Sequence, residues 1–161
     1  MKERADKINE LKYKLQQKKI LEVFFEGDST KDVVFLNESE CKEIVKKAFK
    51  LAYDHVIKEE MVTDCQHEAV FDNYISKEYK KLFNMHFDEI KKDTVNVFFW
   101  TSNIYCAEVN GEVLLKNLDK IISETGCSDL VIINAGLTFG LCLLFDEHSL
   151  SIAYWNNVNI R

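Results

Sequence analysis

Val95-Asn-Val-Phe-Phe-Trp100, Asn103-Ile-Tyr-Cys-Ala-Glu-Val109, Leu130-Val-Ile-Ile-Asn134, Phe139-Gly-Leu-Cys-Leu-Leu-Phe145 and Leu150-Ser-Ile-Ala-Tyr-Trp155 are five runs of strand length in the last third of the chain. Each is apolar throughout or alternates polar with apolar, and each is rich in the β-branched and aromatic residues that pack well on a pleated surface. Asn110-Gly111 and Asp146-Glu-His-Ser149 punctuate them as turns. Between the second and third runs, Leu115, Leu118, Ile121 and Ile122 recur at helical spacing from Leu114 to Thr125, and Gly126 follows as a stop. The order is ββαβββ, so the expected fold is α+β with a mainly antiparallel C-terminal sheet.

Upstream, the period changes. Ile8, Leu11, Leu15 and Ile20 predict a helix over about 3–22 with Lys and Glu between them. Gly27-Asp-Ser-Thr30 breaks it, and Val33-Val-Phe-Leu36 reads as a short strand. Asn37-Glu-Ser-Glu40 has the spacing of a capping box, opening a helix from about 40 to 57 that carries Cys41, Ile44, Val45, Ala48, Leu51, Ala52 and Val56 on one stripe. A second helical pattern runs from about 66 to 92, with Val70, Phe71, Tyr74, Ile75, Tyr79, Leu82, Phe83, Phe87 and Ile90, and a break near Asn84. The expectation is N-terminal helices over about 1–92 packed on a sheet half over about 93–161. Either half alone is a marginal folding unit, so one domain spanning 1–161 is expected.

Composition narrows the classes of function. The chain of 161 residues can bury a sizeable core without disulfides or metal. It has no apolar stretch of the ~20 residues that a bilayer span requires. Its charged N-terminus, Met-Lys-Glu-Arg-Ala-Asp-Lys, leads into no apolar segment of a secretory signal, and a cytoplasmic setting is expected. Cys41, Cys65, Cys106, Cys127 and Cys142 are an odd set without a CxxC pair, which argues against a disulfide framework or zinc knuckle. Net charge is −6, unevenly spread: residues 1–20 carry seven basic and three acidic side chains, leaving −10 for the remainder. From Asp93 onward eight acidic residues face only Lys116, Lys120 and Arg161, a balance that repels nucleic acid and attracts a basic partner.

Cys65-x-His67, Asp64-x-x-His67, His55-x-x-x-Glu59 and His86-x-Asp88-Glu89 each pair two metal-ligating types, but none repeats as a second half and none is HExxH. Cys127 at a helix-to-strand turn, with His148, is the one candidate nucleophile pair, and no third group is apparent in the sequence. Ala135-Gly-Leu-Thr-Phe-Gly140 joins two strands rather than opening a helix, so it reads as a hairpin loop, with Gly140 at a bulge or close backbone approach. No cofactor or metal is expected. Glu108, Glu112, Asp129, Asp146 and Glu147, with Glu124, lie at or near strand ends and form a candidate acidic rim, next to Trp100, Tyr105, Tyr154 and Trp155, aromatic types that anchor interfaces.

The stretch Phe98-Phe-Trp-Thr-Ser-Asn-Ile-Tyr-Cys-Ala-Glu-Val109, the helix after it, Asp129-Leu-Val-Ile-Ile-Asn134 and Phe139-Gly-Leu-Cys-Leu-Leu-Phe-Asp-Glu-His148 together resemble the small acidic immunity proteins of contact-dependent inhibition and related polymorphic toxin systems of bacteria. That resemblance covers about 95–155 and implies a non-enzymatic protein that binds one cognate toxin domain and blocks it. Many such toxins are basic nucleases, so an acidic inhibitor gains association rate from steering. The resemblance assigns no residue by position, and the partner-binding set comes from the acidic rim. The alternative expectation is an oligomerising or adaptor protein that uses the helix around Ile8, Leu11 and Leu15. A small hydrolase using Cys127 or a histidine–carboxylate pair is the third.

Overall fold

The computed structural model of the chain describes residues 2–62, 75–126 and 128–156. Helix α1 (Lys2–Phe24) leads through a 3-10 turn (Gly27–Asp32) into β1 (Val33–Phe35), α2 (Glu38–Asp54) and β2 (Val56–Met61). Helices α3 (Ser76–Met85) and α4 (Phe87–Lys91) follow, then β3 (Thr94–Trp100), β4 (Ile104–Asn110), α5 (Gly111–Thr125), β5 (Leu130–Asn134), β6 (Phe139–Phe145) and β7 (Ser149–Asn156). Among the described residues the strands form one seven-stranded sheet in the order β1-β4-β3-β5-β6-β7-β2. Every neighbouring pair is antiparallel. The α+β fold with its ββαβββ C-terminal order is as expected.

Helices cover both faces of the sheet, which is why its central strands read as nearly continuous apolar runs. On one face Val97, Phe99, Ile132, Leu141 and Ile152 pack under Ile20 and Phe24 of α1, Tyr79 and Phe83 of α3, and Leu114 and Ile121 of α5. On the other, Phe98, Cys106, Val131, Cys142 and Ala153 meet Cys41, Ala48 and Ala52 of α2. Small residues on α2 let that helix lie close to the sheet. Each Leu, Ile or Phe fully buried this way is worth about 1.5–3 kcal/mol relative to exposure.

Two expectations about the first half change, and a third, the break near Asn84, is met within two residues. The sheet is not confined to 93–161: β1 and β2, the two edge strands, come from the helical half. Residues 56–61 do not end α2 but pair with β7, Val56 opposite Ala153 and Met61 opposite Ser149, with an irregularity after Val56. The apolar Val56-Ile57 continues the helical period in sequence, and only the open edge of β7 makes it a strand. The predicted 66–92 helix turns at His86, where α3 stops, and its residues Val70, Phe71 and Tyr74 lie outside the described residues.

The local signals at the helix ends are realised. Asn37 Oδ1 accepts from the Glu40 backbone N–H at 2.9 Å and Glu40 Oε2 accepts from the Asn37 N–H at 3.1 Å, closing the capping box. Gly126 ends α5 with φ of 59°. Asn110-Gly111 is less a turn than the helix start, three residues earlier than the periodicity suggested: Asn110 Oδ1 accepts from the Glu112 N–H at 2.9 Å. A Cβ at Gly111 would lie 1.6 Å from the Ile90 carbonyl oxygen, so α4 and α5 can meet there only at glycine. Among the described residues, no helix is long and apolar enough to cross a membrane.

Candidate protein-binding surface

Strand register decides which acidic residues meet. Phe98 pairs with Val131 and Leu130 with Leu143, so the end of β3, the start of β5 and the end of β6 lie at one end of the sheet. Asp129 stands just before β5, and its Oδ1 accepts from the Phe145 backbone N–H at 2.7 Å. Asp146 follows directly and is exposed; its backbone N–H donates to the Ser149 carbonyl at 2.9 Å, closing the β6–β7 turn, and its Oδ1 accepts from the Glu147 N–H at 2.6 Å. The Glu147 side chain is 80% exposed. Asp129, Asp146 and Glu147 thus form one acidic edge.

The other two predicted residues lie elsewhere. Glu112 is in the first turn of α5, beside Asn110, with Lys91 Nζ 3.7 Å from its carboxylate. That is the opposite end of β4, about 20 Å away over seven residues of strand. Glu108 lies within β4, opposite Val34 on one side and Asn96 on the other, and is half-buried.

Aromatic side chains supply the apolar part of the acidic edge. Trp100 ends β3, half-buried, with Phe49 of α2 packed edge-on at 5.3 Å between ring centroids. Tyr53, one helical turn on, is 66% exposed and packs 6.2 Å from Phe49. Burial raises the Tyr53 pKa, and the charges of Asp129 and Asp146 add to the shift, so Tyr53 stands near both carboxylates. Burial also raises Asp129 itself; the Phe145 N–H opposes this and Asp146 adds to it. A small cavity of about 100 Å³ lies between Phe99, Trp100, Glu124, Ser128 and Asp129. Trp100 Nε1 is buried without a hydrogen-bond partner among the described residues. Phe49 and Tyr53 were missed by the sequence reading. Their signal is an aromatic pair at i, i+4, with Phe49 at the margin of the face that packs on the sheet and Tyr53 exposed beyond it.

The remaining predicted aromatics are core or framework. Tyr105 packs on Tyr13 with tilted rings 4.7 Å apart, and Trp155 is 2% exposed with Nε1 donating to the Leu137 carbonyl at 2.9 Å. Tyr154 stacks on His86 at 4.7 Å. The three described histidines are dispersed: His55 Nδ1 lies 2.8 Å from the Leu51 carbonyl, His86 Nδ1 3.2 Å from Glu89, and His148 is exposed beside Glu147. No group of three or more His, Cys, Asp or Glu that could hold a metal occurs among the described residues. Asp64, Cys65, His67 and Cys127 lie outside them. Cys41, Cys106 and Cys142 are free and buried, and burial pushes all three thiols up, away from the thiolate.

No curated protein and no solved structure matches the chain. A family model described as YxiF protein matches residues 20–155, from the buried end of α1 to the last core residue of β7. By that match, which spans most of its length, the chain belongs to the YxiF family.

Proposed function

We propose that this protein is a cytoplasmic, non-enzymatic immunity protein that neutralises one cognate toxin domain, of the basic nuclease type, by stoichiometric binding. The observation that carries the reading is the acidic edge: Asp129 is brought to the consecutive pair Asp146-Glu147, beside the aromatic residues Trp100 and Tyr53. Such an edge suits a basic protein partner, since exposed carboxylates steer encounter while an aromatic anchor slows dissociation. Glu108 and Glu112 contribute less in this reading, because neither lies on that edge. The net charge and the resemblance of the C-terminal half to small acidic immunity proteins support the same partner class. Neither nucleic acid nor membrane is the proposed target.

Co-expression with the product of the open reading frame directly upstream of the gene tests this. Rescue of growth and a 1:1 complex that weakens with salt are expected. A toxic product left unbound and unneutralised would refute the reading.

A further inference from the structure

Helix α1 has two apolar faces. Tyr13, Ile20, Leu21 and Phe24 pack on the sheet, whereas Ile8, Leu11 and Leu15 are 45%, 61% and 54% exposed. At about 100° per residue the second set points away from the first. The same outward half of the helix carries Arg4, Lys7, Lys12, Lys18 and Lys19 against a single acid, Glu22, which lies 3.8 Å from Lys18. A groove of about 990 Å³ runs along the helix, lined by Asn9, Lys12, Leu15 and Gln16 on one side and Phe35, Asn37 and Tyr105 on the other, so Lys12 and Leu15 stand at its rim. Residues 2–19 lie outside the family-matched segment, so the outward stripe is additional to the part of the chain that the family model describes.

We propose that this outward face is a docking site for an acidic amphipathic helix of a partner protein. The exposed stripe with its flanking cations spans about four turns, from Arg4 to Lys19, the length of a short helix laid alongside. Its charge selects the occupant. A second copy of α1 would bring five more cations against these five, so symmetric self-pairing is disfavoured, while an acidic helix would meet a cation on either side of the stripe. This site is separate from the acidic edge and does not depend on the toxin-binding reading.

The test uses the full chain and a fluorescent helical peptide of about 18 residues, with Leu along one stripe and Glu elsewhere, read by anisotropy. Saturable binding is expected, weakened about tenfold or more, ~1.4 kcal/mol or above, by Leu11→Asp with Leu15→Asp, and several-fold by Lys7→Glu with Lys12→Glu or by added salt. Thermal unfolding of both variants should match the parent, because these side chains are exposed. A peptide with the same Leu stripe and Lys in place of Glu should not bind. The proposal is overturned by no binding, by equal binding of the Lys peptide, or by indifference to Leu11 and Leu15. It is also overturned if the chain is itself a dimer that the Leu variants dissociate, or if the arm binds anionic lipid vesicles and not the peptide.

Discussion

Asp129 Oδ1 accepts from the Phe145 backbone N–H at 2.7 Å, and this one bond ties the turn after α5 to the end of β6 and sets Asp129 near Asp146. Burial raises the Asp129 pKa above the ordinary carboxylate value, and the repulsion of Asp146 adds to it despite the Phe145 bond. The folded protein therefore binds more protons than the unfolded chain between the ordinary and the raised pKa, and stability falls as pH rises through that window. Asp129→Asn retains the Oδ1 acceptor and removes the charge. It should be neutral or stabilising by less than ~1 kcal/mol near pH 7, with the difference vanishing below about pH 4. Thermal melts at the two pH values check this, and a clear loss at neutral pH would mean that the ionised carboxylate stabilises the turn.

A second prediction concerns Gly140. A Cβ there would lie 2.2 Å from Cζ2 and Cη2 of Trp155, whose Nε1 is held by the Leu137 carbonyl. Gly140→Ala must displace the indole or the strand and should cost about 1–3 kcal/mol, read by denaturant unfolding together with tryptophan fluorescence. An unchanged midpoint would show that Trp155 is free to move aside.

At the start of α2, Asn37→Ala removes the acceptor of the Glu40 N–H and should cost about 1 kcal/mol. Asn37→Ser, which keeps an acceptor, should recover most of it. Equal losses in the two variants would separate the stability from the cap.

Tyr53 is the exposed aromatic beside the acidic edge. In the proposed complex Tyr53→Ala should accelerate dissociation about tenfold or more and leave the unfolding temperature unchanged. Surface plasmon resonance against the purified toxin domain measures it. A dissociation rate equal to the parent's would take Tyr53 out of the interface.

The C-terminal strands were legible because each is apolar enough to be buried on both faces, and the Asn37–Glu40 cap because all its chemistry lies within four residues. Strand β2 was not legible. Lys58-Glu59-Glu60 has no strand pattern of its own and is held by the edge of β7. The same limit governs the acidic edge. Asp129 and Asp146 are distant in sequence and meet only because Leu130 registers with Leu143, whereas Glu108 and Glu112, equally acidic in sequence, are carried elsewhere by the pairing of β4. Periodicity assigns residues to faces of elements, but the end of the sheet at which a residue falls depends on register.

Whether the acidic edge receives a basic toxin domain is read from the association rate constant of the 1:1 complex for the parent and for Asp146→Lys with Glu147→Lys, measured by stopped flow at low and moderate salt. Both side chains are exposed, but Asp146 Oδ1 also accepts from the Glu147 N–H, so thermal melts of the variant accompany the rates to separate a loosened turn from a lost contact. Association of the variant should be slowed about tenfold or more at low salt, with the gap narrowing as salt rises and dissociation little changed. Equal rates for parent and variant at low salt would contradict it.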